Sequence, residues 1–187
     1  MTIFSRTFTL LYLIFLVAGT IERVKYTFVP SNANKKTGHI YYRWTFIALS
    51  FIYVLIVLSS VAEYFLIIKT VNVLIAIFGF IIFCVGVFFR RMAGVNLGDN
   101  WSFHVEIKEN HELITKGIYK YLKHPYYLGV ILELVGICAI PNSFYSLLLV
   151  FFIQLPLLAI RIFLEEKTLM SCFGNKYERY RFGKLLF

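Results

Sequence analysis

The sequence predicts an all-α integral membrane protein, a bundle of about five transmembrane helices with a C-terminal helical hairpin, a cytoplasmic loop and an amphipathic tail. Three observations predict this fold class. Hydrophobic residues make up 59% of the 187 residues and charged residues only 16%, whereas a soluble domain averages roughly 25% charged residues. The mean hydropathy is +0.74, and one small core cannot hide that much apolar surface. The apolar runs also lack strict alternation, which favours helices over barrel strands.

Five apolar stretches fit membrane-spanning helices. A span needs about 20 residues, with about 17 as the usual minimum, so the first and the fourth stretches are short. We expect the first to extend into flanking residues and the fourth to be tilted or buried against its neighbours. No small-residue cleavage site follows the first stretch, so we interpret it as a span rather than a signal peptide. The stretches are 8–21, 45–61, 71–89, 125–140 and 144–164.

The distribution of Lys and Arg predicts the orientation of the spans. Segments 22–43, 90–124 and 165–187 carry most of the basic residues, whereas the opposite side holds only Arg6 and Lys69. By the positive-inside rule, the N-terminus lies outside and the C-terminus is cytoplasmic. The Pro141–Asn142 turn joins the last two spans in an antiparallel hairpin, which both of the later cytoplasmic segments flank. We therefore divide the chain into N-terminal helices at 1–89 and a functional region at 90–187.

Several classes of protein are excluded. The net charge of +9 does not indicate nucleic acid, because the basic residues lie between apolar runs, where contact with lipid headgroups places them. No two glycines are spaced as GxG, so the Rossmann and P-loop motifs are missing. The chain has no CxxC, HExxH or GxSxG. The expected partner at this point is the lipid bilayer, with no nucleic acid and no metal.

The densest polar and aromatic run next to a membrane span lies at 111–129. Pro125 suits the first position of a helix, where its missing N–H costs nothing, and His124 before it is biased towards extended backbone. Such a helix begins at the cytoplasmic surface with its positive end exposed, which favours a carboxylate or phosphate. Taken alone, a His-Pro helix start is more often structural than functional.

A second group of charged residues ends the fifth span. Arg161 and Glu165 are four positions apart and share a helix face, with Glu166 next to them. They form either an intrahelical salt bridge, with Arg161 reaching to the headgroups, or part of a functional site, because an ionisable residue within the membrane is costly. The spacing leaves both interpretations open.

Three further features are interpreted from the residues alone. Tyr177 and Tyr180, after the break at Gly174, predict an interfacial helix with an aromatic anchor. Glu133 lies about two turns into the fourth span and needs a partner; it makes either a polar contact between helices or part of a substrate cavity. Glu63 is interpreted as an interfacial residue.

In order and spacing, the motifs resemble those of the isoprenylcysteine carboxyl methyltransferase family, which is related to phospholipid methyltransferases. The resemblance runs from Asn100 to the C-terminus, and the N-terminal half matches only as generic membrane helices. Lys123 stands where the family usually has Arg, which keeps the charge but loses the bidentate fork. The motifs are His111-x-Leu-Ile-Thr-x-Gly117-Ile-Tyr119, Lys123-His124-Pro125-Tyr126-Tyr127-x-Gly129, Arg161-x-x-x-Glu165-Glu166 and Phe173-Gly174-x-x-Tyr177-x-x-Tyr180.

The resemblance implies a binding site for S-adenosylmethionine, closed by the cytoplasmic loop and tail and open to the bilayer through a tunnel. It implies that Arg161 is the catalytic residue that contacts the acceptor, and that Glu165 is an acidic partner of the cofactor. Glu106 is a loose match to a further cofactor contact. The residues implied to line the adenosine side are His111, Glu112, Leu113 and Ile114, and those implied to surround the methionyl part are Tyr119, His124, Pro125, Tyr126 and Tyr127.

The implied function is an S-adenosylmethionine-dependent methyltransferase that O-methylates the carboxylate of a membrane-embedded, isoprenylcysteine-like acceptor. An acceptor carboxylate is already ionised at pH 7 and needs no general base. N-methylation of a phospholipid ethanolamine headgroup is an alternative, but a neighbouring arginine would repel the ammonium form. An NADPH-dependent sterol or enone reductase and a non-catalytic membrane scaffold are further alternatives.

Overall fold

The computed structural model describes residues 3–28, 39–68, 70–98, 105–107, 113–182 and 184. In this part of the chain, long apolar helices dominate and the strands are short. The elements in chain order are α1 (Ile3–Phe28), β1 (His39–Tyr41), α2 (Arg43–Leu66), α3 (Val73–Leu97), β2 (Val105–Ile107), a 3₁₀ turn (Gly117–Lys120), α4 (Pro125–Ala139), α5 (Phe144–Phe173) and α6 (Asn175–Arg181).

The helices confirm the predicted fold class. Four of them, α1, α2, α3 and α5, are long and apolar enough to cross a membrane, and the chain is a multi-pass membrane protein. The first span is longer than the sequence pattern predicts, because α1 extends at both ends. The fourth stays short: α4 has 15 residues, about 22 Å of helix at 1.5 Å per residue.

Glycines allow α3 and α4 to pack with their backbones in contact. A Cβ at Gly86 would lie 2.6 Å from the Glu133 amide nitrogen, and one at Gly129 would lie 2.7 Å from the Gly86 carbonyl oxygen. A Cβ at Gly136 would lie 2.6 Å from Phe83 Cβ and 2.7 Å from the Gly79 carbonyl oxygen, so this position also has no room for a side chain. Small residues give membrane helices their close approach, and this glycine seam fixes α4 against α3 along its whole length.

A network of ion pairs joins α1, α3 and α4 near one end of the bundle. The Arg90 guanidinium donates hydrogen bonds to the carboxylates of Glu133 and Glu22. Arg23 Nη1 donates to Glu133 Oε2 at 2.6 Å, and its guanidinium lies 3.7 Å from the centre of the Tyr53 ring on α2. The structure therefore shows Glu133 as a polar contact between helices, the simpler of the two interpretations of this residue.

The opposite end of the bundle is closed by the turn between α4 and α5. Asn142 has a positive φ of 65°, a conformation that asparagine tolerates, and its Oδ1 accepts a hydrogen bond from the Asn72 amide at 2.7 Å. Asn72 in turn caps α3, since its side chain accepts from Leu74 N at 3.0 Å. The turn thus binds the hairpin to the start of α3.

The interpretation of Glu63 as an interfacial residue is wrong. Its side chain is buried against the start of α5, where it accepts hydrogen bonds from the amides of Tyr145 and Ser146 at 3.1 and 2.8 Å and from Ser146 Oγ at 2.8 Å. These amides belong to the first turn of α5 and have no partner within the helix. A carboxylate from α2 therefore caps a helix that begins 81 positions later.

Helix α5 contains a π turn at Val150–Gln154. Pro156, two positions after this turn, has no N–H to continue the α-helical ladder, and the wider turn accommodates this local break. Around this turn, α2, α4 and α5 share a hydrophobic core that extends as far as Tyr127 near the start of α4. Its buried members are Ile56, Tyr127, Ile131, Leu134, Cys138, Val150, Leu158 and Ile162.

Two short strands connect the N-terminal half of the chain to the long loop before α4. Strand β1 pairs antiparallel with β2, with Ile40 opposite Glu106. The sequence pattern predicts no strand here, since each segment has only three residues, too few for a recognisable alternation.

Candidate active site

The candidate active site lies where α4 begins and α5 approaches its C-terminal end. Pro125 begins α4 as predicted, and the carbonyl of His124 accepts hydrogen bonds from the amides of Tyr127 and Leu128 at 3.1 and 3.2 Å. His124, Pro125 and Tyr127 are buried. The rings of His124 and Tyr127 stack with their centroids 5.7 Å apart. The start of α4 is therefore a closed, polar corner inside the protein.

The phenol of Tyr127 joins the two charged residues predicted on α5. Arg161 Nε donates a hydrogen bond to the Tyr127 hydroxyl at 2.8 Å, and this hydroxyl donates to Glu165 Oε2. The Arg161 guanidinium also lies 5.7 Å from the centre of the Tyr127 ring. Arg161 is 5% exposed, so its charge is held inside the bundle rather than among lipid headgroups.

Arg161 has a second anchor on α2. Its Nη1 donates a hydrogen bond to Thr45 Oγ1 at 2.8 Å, and Thr45 is fully buried. The hydroxyl of Thr45 in turn donates to the carbonyl of Tyr42 at 2.8 Å. The N-terminal half of the chain thus contributes directly to the candidate site.

Glu166, next to Glu165, is the centre of a second ionic group. Its carboxylate lies 3.3 Å from Lys123 Nζ, 3.4 Å from His124 Nε2 and 3.6 Å from Arg181 Nη1. Lys123 and His124 precede α4, whereas Arg181 ends α6. Glu166 therefore links α6 to the start of α4 beside the corner formed by His124 and Tyr127.

Helix α6 covers the 3₁₀ turn. The Tyr180 hydroxyl and Lys184 Nζ each donate a hydrogen bond to the carbonyl of Tyr119 at 2.9 Å, and Lys184 Nζ lies 3.6 Å from the centre of the Tyr180 ring. Burial raises the pKa of Tyr180 to about 12 and raises the pKa of Tyr119 well above its usual value. Both phenols therefore stay protonated at neutral pH.

The prediction of an aromatic membrane anchor on α6 is wrong. Tyr177 is 1% exposed and Tyr180 9% exposed, so both rings face the protein and not the lipid. An i, i+3 aromatic pair on a short helix can pack against either, because the spacing defines a face but not what covers it. Here the face packs against the 3₁₀ turn and the end of α5.

Comparison with known proteins agrees with this site. The model of the isoprenylcysteine carboxyl methyltransferase family matches residues 77–171, slightly more than half of the chain, and this range contains the start of α4 and Arg161, Glu165 and Glu166. The chain belongs to this family. The predicted family resemblance is thereby confirmed.

The relatives that the chain resembles include protein-S-isoprenylcysteine O-methyltransferases. The chain is 38% identical over 100 residues to the one of Schizosaccharomyces pombe, covering 52% of this chain and 42% of that protein. It is 29% identical over 105 residues to form B of Arabidopsis thaliana, 55% of this chain and 53% of that protein. It is 28% identical over 110 residues to the one of Saccharomyces cerevisiae, covering 58% of this chain and 46% of that protein. The chain spans about half the length of these relatives.

Most residues that the family resemblance singles out fall within the described structure. The residues that lie around the beginning of α4 are Tyr119, His124, Pro125, Tyr126, Tyr127, Arg161 and Glu165. Leu113 and Ile114 are half-buried in the segment before the 3₁₀ turn. Glu106 lies in β2. His111 and Glu112 lie outside the described residues, and their part in the site stays a prediction.

Sequence reasoning missed three contributors to this corner. Glu166 belongs to the family motif, but the resemblance implies a role only for Glu165. Tyr42 and Thr45 carry no local signal, because the N-terminal half matches the family only as generic membrane helices. The contact of Thr45 with Arg161 crosses 116 positions of sequence, which no local pattern predicts.

Proposed function

We propose that this chain is an S-adenosylmethionine-dependent methyltransferase that O-methylates the carboxylate of a membrane-embedded, isoprenylcysteine-like acceptor. The observation that carries the proposal is the bridge from Arg161 through the Tyr127 hydroxyl to Glu165. It places a cation suited to an anionic acceptor beside a carboxylate suited to a cationic methyl donor, in a corner protected from water. The family assignment and the names of the relatives support the same reaction.

The residues present fit S-adenosylmethionine. When bound, this cofactor supplies an electrophilic methyl group on a sulfonium, together with an ammonium and a carboxylate. Glu165 is the group that would bind the ammonium, and the tyrosine faces at 119, 126 and 127 suit a cation. The start of α4, with buried His124, suits the carboxylate. All these residues come from the region 90–187, which we propose as the cofactor-binding part of the chain.

Arg161 would bind the acceptor. A guanidinium forms a planar fork that matches a carboxylate with two parallel hydrogen bonds, which fixes the direction of the attacking oxygen. Because the carboxylate is already ionised at pH 7, no residue needs to remove a proton from it. The protein therefore needs only to orient the acceptor and exclude water, and the buried position of Arg161 contributes to both effects.

We propose that the site faces the cytoplasm, with the N-terminus outside. Contacts in the structure bring five helix ends to the same side: Glu22 of α1 meets Arg90 of α3, Thr45 of α2 meets Arg161 of α5, and His124 before α4 meets Glu166. The basic segments are attached to these ends, as the positive-inside rule requires for the cytoplasmic side. Labelling of single cysteines introduced at residues 6 and 179 with a membrane-impermeant reagent would test this orientation.

Methyl transfer tests the reaction directly. Membranes containing the protein receive S-adenosylmethionine labelled in its methyl group and a farnesylated cysteine as acceptor. We expect a labelled product that base releases as methanol, because an ester is cleaved and an N-methyl group is not. A base-stable product in the lipid fraction would overturn the proposal in favour of headgroup methylation. Calorimetric titration of purified protein should show binding of S-adenosylmethionine, and binding of NADPH instead would favour a reductase.

The Arg161→Ala variant tests the role of the arginine. We expect loss of turnover, because the acceptor carboxylate then has no fork to bind, with the affinity for S-adenosylmethionine reduced much less. Arg179→Ala, on the exposed face of α6, is the matched control and should keep wild-type turnover. An equal loss of turnover and cofactor affinity in Arg161→Ala would contradict the assignment of Arg161 to the acceptor.

A further inference from the structure

Thr45 stands out among the polar residues of the N-terminal half. It lies in the first turn of α2, with no surface exposed, and outside the range 77–171 that the family model matches. Its hydroxyl bonds to Arg161 Nη1 at 2.8 Å. This buried hydroxyl therefore contacts the proposed acceptor-binding residue directly.

The backbone before α2 sets the direction of this hydroxyl. Tyr42 adopts a left-handed conformation with φ 52° and ψ 46°, which is uncommon for a bulky residue that is not glycine. Its carbonyl accepts both the amide of Thr45 at 3.0 Å and the hydroxyl of Thr45 at 2.8 Å. Since the hydroxyl proton points to Tyr42, the lone pairs of the same oxygen face Arg161.

Arg161 is therefore held at two different nitrogens by two different helices. Nε donates to Tyr127 on α4, and Nη1 donates to Thr45 on α2, both at 2.8 Å. Two bonds at separate nitrogens fix the plane of a guanidinium, whereas one bond lets it rotate. We infer that Thr45 is a positioning residue for methyl transfer, which sets the plane of the Arg161 fork towards the acceptor carboxylate.

The inference rests on the proposed function and extends it to the N-terminal helices. A fork recognises a carboxylate only when the two planes coincide, and a displacement of about 1 Å in a positioning group can cost about 100-fold in rate. The acceptor would therefore depend on α2 for orientation, although the cofactor residues lie on the 3₁₀ turn, α4 and α5. Removal of the Thr45 hydroxyl should affect the acceptor more than the cofactor.

The experiment compares Thr45→Val, which keeps the shape and removes the hydroxyl, with Thr45→Ser, which keeps the hydroxyl. We expect Thr45→Val to lower kcat/KM for a farnesylated cysteine by about 10- to 100-fold, with the Kd for S-adenosylmethionine changed by less than about threefold. Thr45→Ser should stay within about threefold of wild type. Thr20→Val makes the same change at an exposed position of α1 and should not alter turnover.

A double-mutant cycle with Arg161→Lys separates positioning from a general effect on packing. Lys cannot form the fork, so adding Thr45→Val to Arg161→Lys should cause almost no further loss. The inference is overturned by wild-type turnover in Thr45→Val, by failure of Thr45→Ser to restore activity, or by independent, multiplicative losses in the cycle. If wild-type protein itself shows no methyl transfer to the farnesylated cysteine, the proposed function fails before Thr45 is tested.

Discussion

Tyr127 donates its phenolic hydrogen to Glu165, 38 positions further along the chain, while the same oxygen accepts a hydrogen bond from Arg161. One hydroxyl therefore bridges the acidic and the basic residue in the C-terminal half of α5. Charge-assisted hydrogen bonds of this kind are stronger than those between neutral groups. The side chains that we propose for the cofactor and for the acceptor are thus physically connected.

Tyr127→Phe should separate these two charges while it keeps the stacking on His124. The change leaves Arg161 Nε without this acceptor in a buried place, which costs about 1–3 kcal/mol. We expect a lower melting temperature and at least about a tenfold loss of methyl transfer. Thermal unfolding in detergent and labelled methyl transfer measure the two effects. Tyr145→Phe, at a ring that is 67% exposed, is the control, and a Tyr127→Phe variant equal to it would contradict the bridging role.

Glu133→Ala should destabilise the bundle strongly. Glu133 is 2% exposed and binds both Arg90 and Arg23, so its removal leaves two guanidinium groups without their shared partner. Breaking a buried ion pair from one side costs about 3–5 kcal/mol. Chemical unfolding in detergent should show a loss of this size, whereas Glu178→Ala, at an exposed position of α6, should leave stability unchanged. A stable Glu133→Ala variant would show that the network contributes little.

Gly86→Ala and Gly94→Ala form a matched pair on the same helix. A Cβ at Gly86 would meet the backbone of α4 at 2.6 and 2.8 Å, while a Cβ at Gly94 meets nothing within 4 Å. We expect Gly86→Ala to force α3 and α4 apart, at a cost of about 1–3 kcal/mol. Gly94→Ala should be neutral or stabilising by up to about 1 kcal/mol, since alanine favours the helix. The free energies of unfolding of the two variants measure this difference. Equal values would show that α3 and α4 are not in tight contact at Gly86.

The start of α4 could be predicted because its motif is local, and the order of the motifs, typical of the family, implied one site for Tyr127 and Glu165. The four long apolar helices could be predicted because the length of an apolar run is a property of sequence alone. The fourth predicted span corresponds to α4, which has 15 residues and is shorter than a usual span. His111 and Glu112 stay predictions, because they lie outside the described residues.

The partners of buried polar residues could not be predicted in this way. Glu63 caps a helix 81 positions later, and Thr45 meets Arg161 over 116 positions; neither residue shows its partner through spacing. For Tyr177 and Tyr180, the spacing likewise predicts only part of the outcome. Their spacing correctly defines a helix face, but whether lipid or protein covers that face depends on the tertiary fold.

The attachment of α6 should weaken in alkaline solution through Tyr180. Burial raises the pKa of this phenol to about 12 in the folded protein, above the ordinary value of about 10 that it has when unfolded. The unfolded state therefore loses its proton first, so the stabilising contribution is complete below about pH 10 and disappears as the pH rises through about 12.

We expect wild-type protein to exceed Tyr180→Phe in stability at pH 8, because the bond to the Tyr119 carbonyl is lost in the variant. This stability difference should shrink steadily above pH 10. Melting temperatures of both proteins in detergent between pH 8 and pH 12 measure the difference. A difference that does not change over this range would show that the phenol is not buried as the structure has it.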